Sequence, residues 1–217
     1  ESPGYPFLIA GTFGFMMQVY GDFLGYSQIA RGTARLFGYR LMKNFDSPYF
    51  SLSPAEFWRR WHISFSTWIR DYLYISMGGS RQKSEWRIYL VLFATMFLSG
   101  LWHGAAWWYV LWGSYFGVLL GIYRYLGIRA DWRPASKIVA FSMWAITFVL
   151  LLISFVIFRG NDIGWSARAL MDAGNGWTQD EVSGVFFLTL LPILLYSSPF
   201  LLIKWFERRK TIPRFNV

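Results

Sequence analysis

IYLVLFATMFLSGLWHGAAWWYVLWGSYFGVLLGIYRYL occupies residues 88–126, and it carries a single imidazole, His103. One membrane crossing needs about 20 apolar residues, and this run is too long for one. It divides at Gly100-Leu101-Trp102-His103-Gly104, which predicts spans over residues 88–101 and 104–126. His103 then lies between two apolar runs, where a polar group must find a partner or a watery cavity. Imidazole is also the side chain best suited to proton transfer near neutral pH. A His that only hydrogen-bonds a neighbouring helix is the structural alternative.

The same pattern extends outward. Residues 137–158 are dense in Leu, Ile, Val and Phe and predict a further span. Residues 184–206 predict another, interrupted by Pro192 and Pro199. Residues 6–29 predict a Gly-rich span through Asp22, an expensive residue at membrane depth that should face protein or water. Arg31, Arg35, Arg40 and Lys43 then mark an aqueous edge. Residues 160–181 are polar apart from a short amphipathic stretch at 167–171.

Ser53-Pro54-Ala55-Glu56 is a helix start, with Ser53 as cap, Pro54 at the first position and Glu56 able to complete a capping box. The helix predicted from it, residues 54–75, interleaves Trp58, Trp61 and Trp68 with Arg59, Arg60 and Arg70. That is too polar to span, so an interfacial or re-entrant helix is expected. On a continuous helix Trp58 and His62 would share a face. The Arg residues suit a phosphate-bearing donor, because guanidinium forks match phosphate oxygens. Snorkelling toward anionic headgroups is the alternative. Asp71 beside Arg70 reads first as a structural pair, and Gly78-Gly79 as a turn.

Composition agrees with a membrane setting. The 217 residues are 55% hydrophobic and 22% aromatic, above a typical soluble domain. The net charge of +9 flanks apolar runs and does not cover a soluble face, so no nucleic-acid partner is expected. There is no Cys, which excludes disulfides, thiolate metal sites and a Cys nucleophile. Two distant His are too few for a zinc site, so no metal is expected. Ser99 is four residues before His103, but nothing in the sequence marks a strained nucleophile turn. The chain begins at Glu1 without a signal-peptide pattern, so a C-terminal fragment lacking its N-terminal part is expected. The fold class is an all-α polytopic membrane protein in a single membrane domain, residues 1–217. A transporter or a non-catalytic polysaccharide-export scaffold would share these features. A transporter should also show two related halves, and no internal repeat is visible.

Several motifs in order resemble the membrane-bound O-acyltransferase (MBOAT) family, in the branch holding the alginate O-acetyltransferase membrane subunit. They are Gly21-Asp22-Phe23, Asn44-Phe45-Asp46-Ser47-Pro48-Tyr49, Glu56-Phe57-Trp58-Arg59-Arg60-Trp61-His62-Ile63-Ser64, Trp68-Ile69-Arg70-Asp71-Tyr72-Leu73-Tyr74-Ile75 and Gly100-Leu101-Trp102-His103-Gly104. Phe158-Arg159 resembles the family's continuation. The chain departs from the branch at Ser76-Met77, where Pro-Leu is usual, and at Phe116-Gly117, where His-Gly is often found.

The resemblance implies an MBOAT-like bundle with re-entrant or interfacial helices, from a longer full chain in the bacterial inner (cytoplasmic) membrane. It implies that His103 is the catalytic histidine and His62 the second motif histidine. Trp58, Arg59, Arg60, Trp61, Arg70, Asp71, Trp102 and Asp22 become candidate substrate-binding residues. The implied donor is a cytoplasmic thioester, acyl-CoA and in particular acetyl-CoA. The implied partners are the lipid bilayer and a polysaccharide hydroxyl or periplasmic acetyl-carrier proteins.

Overall fold

The computed structural model describes residues 5–160 and 162–171, with positions 184 and 191. Its regular elements are α1 (Tyr5–Leu36), α2 (Pro54–Arg60), α3 (Ile63–Ile69), α4 (Glu85–His103), α5 (Trp107–Tyr125), α6 (Lys137–Arg159) and α7 (Ile163–Met171), with short 3-10 and π turns between them. No strand occurs among the described residues. The segment 184–206 lies largely outside them.

Helix α1 runs through Asp22 and past the expected aqueous edge to Leu36. It stops where Gly38 takes φ 81, a left-handed cap, with Tyr39 N donating to Ala34 O. Asp22 is exposed on this helix. Two described stretches are long and apolar enough to cross a membrane, Phe7–Leu36 and Lys137–Arg159. Only 28% and 33% of their most apolar windows are buried within the chain, so both leave apolar surface for other contacts.

Helices α4 and α5 form an antiparallel hairpin. Gly104 closes the turn, with Ala106 N donating to its carbonyl at 2.9 Å. The two backbones then touch: a Cβ on Gly100 would fall on the Tyr109 carbonyl, and one on Gly113 on the Met96 carbonyl. Small residues permit such a crossing. At the hairpin's far end Arg124 pairs with Glu85 at 3.2 Å.

Helix α6 packs on both α5 and α1. Side chains satisfy backbone groups between α5 and α6 and between the 48–50 turn and both α1 and α6. Tyr115 Oη donates to Leu150 O at 2.8 Å, Tyr49 Oη to Met16 O at 2.7 Å, and Trp144 Nε1 to Tyr49 O at 2.9 Å. The central apolar cluster draws Met16 and Tyr20 from α1, Phe57 from α2, Trp112 and Phe116 from α5, and Phe155 from α6.

The continuous helix expected over residues 54–75 does not form. Its start behaves as a cap, Ser53 accepting from Glu56 N at 3.1 Å. Glu56 Oε2 accepts from Leu52 N at 2.7 Å, one residue before the cap amide of a capping box. The helix then breaks at Trp61-His62, because His62 adopts φ 42, ψ 56. A left-handed residue cannot continue a right-handed helix, so Trp58 and His62 are not one-turn neighbours. Past α3, Arg70–Tyr74 widen into a π turn, with Ile75 N donating to Arg70 O. Gly78 and Gly79, at φ 99 and 50, reverse the chain.

Candidate functional site: two histidines on one aromatic cavity

The break at His62 and the end of α4 at His103 bring both imidazoles to one cavity of about 270 Å³. Its walls include Phe23, Trp61, Trp102, Trp112 and Phe158. Phe65 spans the pair, stacked on the His62 ring at 5.0 Å and edge-on to the His103 ring at 5.8 Å.

His103 occupies the last position of α4, and its Nδ1 lies 2.7 Å from Ser99 O, one turn back. A carbonyl only accepts, so Nδ1 carries the proton and donates. The neutral ring therefore presents an unprotonated Nε2. The contact is with the Ser99 carbonyl and not its hydroxyl, so Ser99 serves His103 as backbone. Trp102, Trp112 and Phe158 hold the ring edge-on at 5.1, 4.8 and 5.6 Å.

His62 is held differently. Its Nδ1 is buried without a hydrogen-bond partner. Phe23 meets the ring edge-on at 4.6 Å. Burial, with a smaller contribution from neighbouring His103, pushes its pKa down from 6.5 to about 4. The ring is neutral at physiological pH because an apolar cage solvates a cation poorly.

The other sequence candidates scatter around this centre. Trp61 and Trp102 line the cavity. Trp58 and Arg70 line a second, smaller cavity of about 160 Å³ that also reaches Ser99. The Trp58 indole Nε1 is buried without a partner. Arg60 is held by Glu56 at 2.6 Å. Arg70 bonds Asp71 at 2.7 Å, which lowers the Asp71 pKa. Arg59 is exposed. Asp22 does not line either cavity, although its neighbour Phe23 lines the larger one. Phe23, Phe65 and Trp112 were not anticipated individually, because aromatic residues are too frequent in this chain for any one to stand out. Phe158 carried a signal, as part of the Phe158-Arg159 pair.

The sequence profile of the membrane-bound O-acyltransferase (MBOAT) family matches residues 3–158. The chain belongs to that family. Among MBOAT relatives, it is 45% identical over 175 residues to the probable alginate O-acetylase AlgI of Pseudomonas aeruginosa, covering 80% of this chain and 33% of that one. It is 37% identical over 158 residues to the peptidoglycan O-acetyltransferase of Helicobacter pylori, covering 72% and 29%. It is 32% identical over 160 residues to the teichoic acid D-alanyltransferase of Bacillus subtilis, covering 68% and 40%. The chain thus spans 29–40% of the length of these three relatives.

Proposed function

We propose that this chain carries the acyl-transfer centre of a polytopic, multi-pass O-acyltransferase in the bacterial inner membrane. The observation that carries the proposal is the pair of imidazoles on one cavity, with His103 Nε2 free to accept a proton. Relatives named for alginate, peptidoglycan and teichoic acid favour an acceptor hydroxyl on a polysaccharide or similar polymer. The donor is a cytoplasmic thioester, acetyl-CoA or another acyl-CoA. Periplasmic acetyl-carrier proteins are candidate recipients.

His103 Nε2 takes the proton of the acceptor hydroxyl as that oxygen attacks the thioester carbonyl carbon. The tetrahedral intermediate collapses with cleavage of the C–S bond, leaving an oxygen ester. The departing sulfur takes the proton from Nε2 and leaves as a thiol, so the enzyme returns to its starting state. The Ser99 carbonyl, already bonded to Nδ1–H, stabilises the imidazolium formed in between. A cavity of about 270 Å³ compares with the roughly 30 Å³ that one water occupies in the liquid, which leaves room for a small acyl group and a hydroxyl. His62 acts beside it in positioning donor or acceptor, and Arg59, exposed on α2, is a candidate cation for a donor phosphate.

The membrane placement is part of the same proposal. Helices α4 and α5 have 19 residues each. At 1.5 Å per residue each extends about 28 Å, close to the hydrocarbon thickness of about 30 Å. With α1 and α6 they form the crossings, and α2–α3 forms the interfacial or re-entrant segment.

Labelled acetyl transfer by the full-length protein in membranes tests the reading. His103→Ala should abolish transfer, and a fully active His103→Ala protein would sink it. His62→Ala should raise KM or lower kcat, and unchanged values for both would remove His62 from the mechanism.

A further inference from the structure

His62 holds a backbone conformation that its residue type disfavours. The left-handed region is costly for a non-glycine residue, and such a residue persists where its surroundings over-determine it. The His62 side chain makes no capping bond to α3. One local bond crosses the break, Ser66 Oγ donating to Trp61 O at 2.9 Å, and the long-range restraint comes from residues 44–46.

Asn44 bonds the chain just past the break three times. Its carbonyl accepts from Ile63 N at 2.9 Å. Its Oδ1 accepts from Ser64 N at 3.1 Å and from Ser64 Oγ at 2.7 Å. Its Nδ2 donates to Ser27 Oγ on α1 at 3.2 Å, so the carboxamide is anchored. Just before the break, Asp46 N donates to Arg60 O at 2.9 Å. Between these two, Phe45 packs edge-on against Trp61 at 5.0 Å and against Phe23 at 5.1 Å, and Phe23 touches the His62 ring. Both flanks of His62 are therefore tied to one three-residue stretch.

We propose that Asn44 is a positioning residue: its carboxamide caps α3 from outside, holds the Trp61-His62-Ile63 break in place and so fixes where the His62 ring enters the cavity. The inference rests on the acyl-transfer reading of the two histidines. It assigns Asn44 no contact with substrate. Asp at position 44 would keep both Oδ1 bonds and could accept from the Ser27 hydroxyl. Ala would keep only the backbone bond.

The test uses the full-length protein in membranes, with labelled acetyl transfer normalised to the amount of each variant present. The set is Asn44→Ala, Asn44→Asp, His62→Ala and the double variant Asn44→Ala/His62→Ala. Asn44→Ala should lower kcat by about 10–100-fold, the scale of a side chain misplaced by roughly an ångström, while KM moves little. Asn44→Asp should recover most of the loss. The double variant should be no slower than His62→Ala alone, because both changes act on one ring. Losses that multiply in the double variant, or an Asp variant as slow as Ala at normal abundance, would overturn the assignment. If Asn44→Ala does not accumulate, Ser64→Ala removes one of the two Oδ1 bonds and enters the same cycle. A fully active His62→Ala would strike the role of His62 itself, whereas a slow His62→Ala with multiplying losses strikes only Asn44.

Discussion

The chain contains two Trp-His dipeptides, and the structure treats them in opposite ways. Trp102-His103 ends a regular helix, and the His103 ring is oriented by a carbonyl four residues back on that helix. Trp61-His62 sits at a left-handed break, and beside one local bond from Ser66 Oγ to Trp61 O it is held by bonds from residues 44 and 46. One imidazole is aimed locally and the other by tertiary contacts. A local bond forms whenever the helix forms. A tertiary one is only as good as the packing that brings the loop home. Variation far from the cavity should therefore reach His62 more readily than His103.

The largest effect that could break this comparison is at His103. Its replacement by Ala should slow labelled acetyl transfer by at least the roughly 10²–10⁴-fold worth of a general base. A smaller loss than that for His62→Ala would keep the two rings in different roles, and equal losses would merge them.

The next effect concerns the scaffold under His103. Gly100→Val places a branched side chain against the Tyr109 carbonyl, so the α4–α5 hairpin must open. Overpacking of this kind costs about 1–3 kcal/mol, and thermal denaturation of the detergent-solubilised protein should record it. An unchanged midpoint would mean that the helices do not cross so closely.

The pH response sharpens the other side. With its folded pKa lowered to about 4, His62 refuses a proton that the unfolded chain accepts from about 6.5 downward. The lowered pKa therefore takes nothing from stability above about pH 6.5, and stability falls as pH drops from there toward 4. An NMR titration of the His62 ring, assigned by its loss in His62→Ala, checks this. A midpoint near 6.5 would show that the cage is wet.

The smallest expected effect is at the start of α2. Ser53→Ala removes the bond to Glu56 N and should cost about 1 kcal/mol. It should shift the His62 ring signals and leave those of His103 in place. Equal shifts at both rings would show that the two supports are not separate.

Much of the site was legible in the sequence. His103 stood out because an ionisable group between two apolar runs needs a reason to be there, and the Gly100–Gly104 stretch marked where the long run divides. The pairing of Arg70 with Asp71 followed from adjacency. The course of residues 54–75 was not legible, because composition and capping residues favoured one helix throughout. Nothing local announces that His62 will turn left-handed. The α region is cheaper for it, and contacts from the distant stretch 44–46, added to the local bond from Ser66 Oγ to Trp61 O, make the break the better choice.

The amino-acid sequence alone therefore determined the helical class, the apolar character of the segments and the identity of the imidazole that ends α4. These follow from hydrophobic runs and short-range spacing, which act within a few residues. The tertiary structure decided that His62 and His103 share a cavity and that Asn44 supports the break. Those depend on how α1, α2 and the α4–α5 hairpin come together, and a hydrogen bond across 20 positions leaves no periodic trace in the chain.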